Sequence, residues 1–108
     1  MAQSHARVST DRPARYGKQL AAHLGRKIEA SWSEETGRGA FSFSYGSAAA
    51  VAEPDALVLS VEGEPESLAQ LEDVIGRHLV RFGARDELVV QWQRDNGEPG
   101  LTHRHQED

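Results

Sequence analysis

Two histidines, His23 and His78, are the residues whose type and position in the sequence point most directly to chemistry. His23 lies three residues after Leu20 and His78 lies three residues after Ile75, each within a repeat of apolar residues at helical spacing. Both imidazoles therefore fall on, or at the edge of, a helix face that packs against the rest of the fold. Imidazole is the commonest metal ligand in proteins and titrates near neutral pH, so the pair predicts a metal, haem or proton-linked site if the two helices lie side by side.

The two histidines also have an interpretation that involves no ligand. A histidine on an apolar face is usually a core residue whose ring nitrogens bond to a backbone carbonyl or a neighbouring side chain. Zinc takes about three or four protein ligands, whereas no Asp or Glu follows His23 or His78 by three or four residues. The sequence requires no cofactor, and His23 and His78 are candidates for either role.

A basic surface accompanies the first of these helices. It combines one acidic residue, Asp11, with the cationic residues Arg12, Arg15, Lys18, Arg26 and Lys27. Such a surface either docks an acidic partner or a carboxylate-bearing ligand, with Arg15, Tyr16 and Lys18 joining the histidines as binding residues, or is a solvated helix face. The net charge of -5 argues against nucleic acid as a partner.

The sequence contains no recognisable set of catalytic residues. The absence of cysteine excludes disulfides, thiolate metal sites and cysteine nucleophiles. There is neither a Gly-x-Ser-x-Gly nucleophile elbow nor a phosphate-binding glycine loop ahead of a helix. Glu34-Glu35 and Glu72-Asp73 are adjacent acidic pairs, not carboxylates that face each other, so they predict no acid–base chemistry. We therefore expect a protein without enzymatic activity.

The expected location is the cytoplasm, with no membrane segment. The sequence lacks the roughly 18 consecutive apolar residues that a membrane helix needs. Its first residues lack the apolar region of a secretory signal. The absence of cysteine is compatible with this compartment.

Two helices must position the histidines. The first is predicted to begin at Thr10-Asp11-Arg12-Pro13, with Thr10 or Asp11 as its N-terminal cap and Pro13 in its first turn. The second is predicted to begin near Pro65 and to be capped by Gly83. Each helix carries a single apolar stripe, so each must pack against another layer of structure.

Around the helices, apolar residues alternate with polar ones, which is the pattern of half-buried strands. The predicted strands are residues 7–9, 28–33, 41–45, 48–52, 57–62 and 88–93. The element order is then β-α-β-β-β-β-α-β, and the short turns between consecutive strands predict antiparallel pairing. We predict an α+β fold: a two-layer sandwich in which a mostly antiparallel sheet of five to six strands carries both helices on one face.

A single domain accounts for most of the chain. Leu, Ile, Val and Phe supply 22 of the 108 residues, close to the fraction of about 20% below which chains become disordered. Residues 5–94 contain all of these except Leu101 and form the predicted α+β domain. Residues 95–108 predict a disordered C-terminal tail, in which His103-Arg104-His105 is solvated.

Several runs of residues together resemble one bacterial family. In the first half they are Thr10-Asp11-Arg12-Pro13-Ala14-Arg15-Tyr16, Lys18-Gln19-Leu20 and His23. In the second half they are Glu53-Pro54-Asp55-Ala56-Leu57, Leu71-Glu72-Asp73-Val74, Arg77-His78-Leu79, Arg81-Phe82, Glu87-Leu88 and Trp92. They cover most of residues 6–93 and resemble the family catalogued as domain of unknown function 2218, with His23 and His78 on histidines of its pattern.

This resemblance implies a non-catalytic binding or accessory role in ferric-siderophore or iron handling. Some members are joined to siderophore-interacting ferric reductases, so the implied partner is such a reductase or a small ligand. Gly46-Ser47-Ala48 departs from the family's glycine followed by a cysteine-containing strand, so no thiol-based role is expected. Two alternatives stay open: a metal- or haem-binding protein that uses His23 and His78, and a structural domain that forms a homodimer through its open sheet face or an edge strand.

Overall fold

The structure of the protein, a computed structural model, describes residues 2–82 and 88–104. A short 3-10 turn, Pro65–Ser67, directly precedes the second helix. The strands and helices in chain order are β1 (Ala2–Ser9), α1 (Pro13–Leu24), β2 (Glu29–Ser33), β3 (Arg38–Phe43), β4 (Gly46–Glu53), β5 (Ala56–Gly63), α2 (Leu68–Phe82), β6 (Val89–Arg94) and β7 (Pro99–Arg104).

The strands form one antiparallel sheet in the order β2-β3-β4-β5-β1-β6-β7. α1 packs on β2 to β5, and α2 packs on β1 and on β4 to β7. The predicted α+β architecture with an antiparallel sheet and two helices is confirmed. The described residues form seven strands where five to six were expected, and the additional strand is β7.

The core lies between the helices and the sheet. On β1, Ala6 and Val8 are buried whereas His5 and Arg7 are exposed, so the strand turns its apolar side toward the helices. The opposite face of the sheet is open and mixes polar residues with apolar ones such as Val89, which is 41% exposed. The largest fully buried side chains are Trp92, Phe41, Leu20, Leu57, Leu59, Leu71, Ile75 and Leu79.

α1 begins at the predicted position, but its N-terminus is not capped as predicted. Pro13 occupies the first turn, where its missing N–H is not needed. The N-cap residue is Arg12 and no side chain caps the helix, so the predicted cap at Thr10 or Asp11 is wrong. The Thr10 hydroxyl accepts a hydrogen bond from the backbone N–H of Arg12 at 3.1 Å, which stabilises the approach to the helix. Gly83, the predicted cap of the second helix, lies outside the described residues.

The prediction of a disordered tail is wrong over residues 99–104. These residues form β7, which pairs with β6 at the edge of the sheet. Apolar burial does not explain this strand, because Leu101 is 37% exposed. Residues 105–108 lie outside the described part of the chain.

A buried carboxylate on α2 holds β7 in place. Glu72 is completely buried and accepts hydrogen bonds from the Arg94 guanidinium, at 3.1 Å from Nη2 and 3.3 Å from Nε. It also accepts a hydrogen bond from the backbone N–H of Leu101 at 3.2 Å. The hydrogen bonding between Arg94 and Glu72 raises the pKa of the Arg94 guanidinium. The acidic pair Glu72-Asp73 is therefore a structural anchor for the end of the chain.

A second polar contact lies further along the same strand. The Nε2 atom of His103 is 3.2 Å from Oδ1 of Asp73. The His103 ring lies over Gly76, where a side chain would collide with it. Two adjacent acidic residues of α2 thus contact β7, which compensates for the small apolar area that this strand buries.

We expect Arg94→Met to lower the free energy of unfolding by about 3 kcal/mol, because it leaves the Glu72 charge buried without its ion partner. Arg7→Met is the matched control, since it removes an exposed ion pair with Asp55 and should cost less than about 1 kcal/mol. Urea unfolding followed by circular dichroism measures both. A Glu72→Met/Arg94→Met double variant should recover part of the stability lost in Arg94→Met, because it no longer buries an unpaired charge. If Arg94→Met and Arg7→Met lower the free energy of unfolding equally, the buried pair does not anchor the strand.

Candidate functional site

The structure brings His23 and His78 together where α1 and α2 meet. His23 lies in the last turn of α1, and its ring centroid is 4.9 Å from that of His78 on α2, with the ring planes inclined at 47°. Phe82, at the end of α2, meets His23 edge-to-face at 5.2 Å between centroids. The three rings form one cluster at the surface, with His23 exposed and His78 half-buried.

A pocket of about 400 Å³ opens beside this ring cluster. It lies between the end of α1, the side of α2 and the turn that joins β3 to β4. Leu24, Ile28 and Val74 contribute its apolar wall. Its volume falls in the range of about 300–1,000 Å³ that is usual for small-molecule sites.

Aromatic and cationic side chains complete the pocket. Phe43 and Tyr45 lie on either side of Ser44 in the β3–β4 turn, with their ring centroids 5.4 Å apart. Arg26 and Lys27 follow α1 directly and line the pocket from the other side. The described residues that line it include cations, imidazoles and hydroxyls but no carboxylate, so the electrostatic preference is for an anion.

The ring of His78 is oriented by its own helix. Its Nδ1 lies 2.6 Å from the carbonyl oxygen of Val74, four residues earlier. Because a carbonyl can only accept, Nδ1 carries a proton, and in the neutral form of the ring the lone pair lies on Nε2. This contact is the backbone hydrogen bond expected of a core histidine, yet it leaves the other nitrogen available to a ligand.

The His23 imidazole is electrostatically disfavoured as a cation. Contact with the neighbouring rings removes water from it, and this desolvation lowers its pKa from the ordinary 6.5. Positive charge lowers that pKa further, and its sources are His78, Arg26, Lys27 and Arg81. Both effects favour the neutral form of the His23 imidazole.

The other residues predicted for the site lie elsewhere on α1. Tyr16 is buried in the core, whereas Arg15 and Lys18 are exposed. Lys18 pairs with Glu34, and this contact lowers the pKa of the Glu34 carboxyl through a hydrogen bond. None of the three is among the described residues that line the pocket.

Sequence reasoning missed the role of the β3–β4 turn. It placed both Phe43 and Tyr45 in the predicted strand of residues 41–45 and gave them no binding role, whereas both side chains pack against the core and also line the pocket. The available signal was the position of Tyr45 directly before Gly46, where the strand pattern gives way to a turn. An aromatic residue at such a point leaves the sheet and can reach a neighbouring helix end.

The metal-binding capacity of the protein side chains is limited. Within residues 2–82 and 88–104, no group of three or more potential ligands could hold a metal ion. An ion at His23 and His78 would therefore need further ligands from outside this part of the chain.

No described helix is both long enough and apolar enough to cross a bilayer.

Comparisons with known proteins agree on one family and one fold. Residues 5–93 match the model of a family described as "Uncharacterized protein conserved in bacteria (DUF2218)". The NMR structure of PA4090 from Pseudomonas aeruginosa superposes with a TM-score of 0.71 at 30% sequence identity, covering 86% of this chain and 96% of that one. The comparison with curated proteins found no match.

We expect His23 to titrate below 6.5 in the folded protein. Because its folded pKa lies below the unfolded value, the unfolded chain binds more protons, and the free energy of unfolding rises with pH in this range. The His23 contribution to stability is therefore lost as pH falls from about 6.5 through the folded pKa. NMR titration of the histidine ring protons measures the pKa directly.

A matched pair of variants identifies the cause of this shift. His78→Gln removes the largest charge effect on His23 and should raise its pKa toward the ordinary value, whereas His5→Gln, on the open face of the sheet, should leave it unchanged. A His23 pKa of 6.5 or more in the unaltered protein would show that the ring cluster does not disfavour the cation.

Proposed function

This chain belongs to the bacterial DUF2218 family, and we propose that it is a small-molecule-binding domain that holds an anionic ligand in the pocket between its two helices. The observation that carries the proposal is the composition of that pocket. Arg26 and Lys27 supply positive charge beside an apolar and aromatic cavity of about 400 Å³. A ligand with an oxyanion at one end and a flat or apolar body matches both features.

The role proposed is binding, not catalysis. A catalytic imidazole is commonly oriented by a carboxylate and faces a nucleophile or a substrate proton. Here His78 uses Nδ1 on the backbone carbonyl of Val74, and the described lining of the pocket contains no carboxylate. The two imidazoles are therefore better suited to contact a ligand than to transfer its protons.

The ligand class that fits the pocket is a siderophore-type chelator or its ferric complex. Such chelators present oxyanions on compact, often aromatic units, which Arg26, Lys27 and the Phe43 and Tyr45 rings can contact. The resemblance to domains joined to ferric reductases favours the same class. On this proposal the protein is an accessory that holds the chelate for a separate reductase.

Titration with 2,3-dihydroxybenzoate, an anionic aromatic chelator unit, tests the binding role. We expect the unaltered protein to bind it with amide shifts centred on the pocket, and an Arg26→Gln/Lys27→Gln variant to bind about tenfold more weakly because it removes about 1.4 kcal/mol of charge interaction. Titration calorimetry measures the affinity, and two-dimensional NMR locates the site.

The matched control removes two cations near the start of α1, away from the pocket. Arg12→Gln/Arg15→Gln has the same change in net charge, but both residues are exposed near the start of α1. Its affinity should stay within about twofold of the unaltered protein, since exposed charges beyond a Debye length are largely screened. Equal weakening in both double variants, or amide shifts centred on the open sheet face, would refute the pocket as the binding site.

A further inference from the structure

We propose that His23 and His78 form a two-imidazole site for a transition-metal ion that arrives on an anionic chelator with two adjacent coordination positions open. The inference rests on the proposed function for the chelator and adds direct contact between protein and metal. The protein provides two ligands from two helices, and the chelator provides the remainder. The pocket beside the rings gives the chelator its space.

The separation of the two rings fits coordination to one ion. With metal–nitrogen bonds of about 2 Å, imidazoles on adjacent positions of an ion place their ring centroids about 4.5–5 Å apart. The centroids of His23 and His78 are 4.9 Å apart. Imidazoles on opposite sides of an ion would place their centroids about 6 Å apart. The arrangement therefore favours a chelate with adjacent open positions over a haem held between the two rings.

The ring nitrogens of His78 and His23 are placed so that a metal ion can reach them. The bond from His78 Nδ1 to the Val74 carbonyl fixes the ring and leaves the Nε2 lone pair free. A hydrogen bond from the second ring nitrogen to a carbonyl or carboxylate is the usual support of a metal-binding histidine. His23 is exposed at the end of α1, so an ion on a chelator can reach it.

The surrounding charge decides which form of the metal is bound. Arg26 and Lys27 line the pocket, and they repel a bare divalent cation while they attract an anionic chelate. Since the described residues contain no group of three potential ligands, the chelator's donors are needed to complete the coordination shell. The chemical class is thus a partly saturated anionic complex of a first-row transition metal, for which imidazole is a good ligand.

Copper(II) nitrilotriacetate is the probe, because it carries net negative charge and leaves positions open to imidazole. Pulsed electron paramagnetic resonance counts the imidazoles on the copper. We expect two imidazoles in the unaltered protein and one in either His23→Gln or His78→Gln, each with at least tenfold weaker binding. His5→Gln is the control, because it removes an exposed histidine from the open sheet face and should retain both imidazoles.

A second measurement needs no variant and so does not depend on variant folding. Zinc nitrilotriacetate should shift the Nε2 resonance of His78 and one ring nitrogen of His23 in the unaltered protein at a common concentration. The metal site is overturned if only one imidazole coordinates the copper. It is also overturned if His5→Gln weakens binding of copper(II) nitrilotriacetate as much as His23→Gln does. If 2,3-dihydroxybenzoate still binds in that case, the proposed pocket stands without the metal, whereas loss of both refutes both.

Discussion

The placement of α2 depends on the contacts that the buried carboxylate of Glu72 makes with Arg94 and with the backbone of Leu101. Burying a charge costs several kcal/mol unless the charge is paired and its hydrogen bonds are satisfied. Glu72 meets this requirement only when Arg94 at the end of β6 and the backbone of Leu101 in β7 both reach it. One side chain therefore couples the position of α2 to the last two strands of the sheet, and the same helix carries His78 to the pocket.

Close approach of the helices to the sheet is the second constraint. Gly17 allows α1 to lie directly on the ring of Trp32, which a side chain at that position would displace. Gly46 has a positive φ of 156°, and a Cβ there would collide with the backbone of Glu62 and with Leu71 of α2. The spacing of the two helices above the sheet is set at these contacts.

The sequence predicts those parts of the fold that depend on local patterns. Apolar periodicity identifies both helices and most strands, because each signal lies within a few residues. It places His23 and His78 on packed helix faces, but their approach depends on how the two helices lie on the sheet. It misses β7 because that strand depends on contacts of Glu72 with Leu101 and of Asp73 with His103, far apart in the chain. Counting apolar residues cannot detect a strand that is held mainly by buried polar groups.

Helix geometry also explains why the pocket uses Arg26 and Lys27 of the predicted basic surface and not Arg15 and Lys18, which were expected to bind. Arg15 lies eight residues before His23, which places it about 12 Å away along the helix axis at 1.5 Å per residue. Arg26 and Lys27 follow the helix end and turn back beside the imidazole. The rise per residue alone would therefore have favoured the later pair of cations over Arg15.

Histidines at the junction of the two helices cost stability that apolar side chains could supply there. A leucine at the half-buried position of His78 would extend the apolar contact between α1 and α2, since fully burying such a side chain contributes about 2 kcal/mol. The imidazoles instead leave the helix junction open and place two nitrogen-bearing rings beside Arg26 and Lys27. Stability is given up where cations, aromatic rings and imidazoles converge, and this loss is the physical argument behind the proposed binding role.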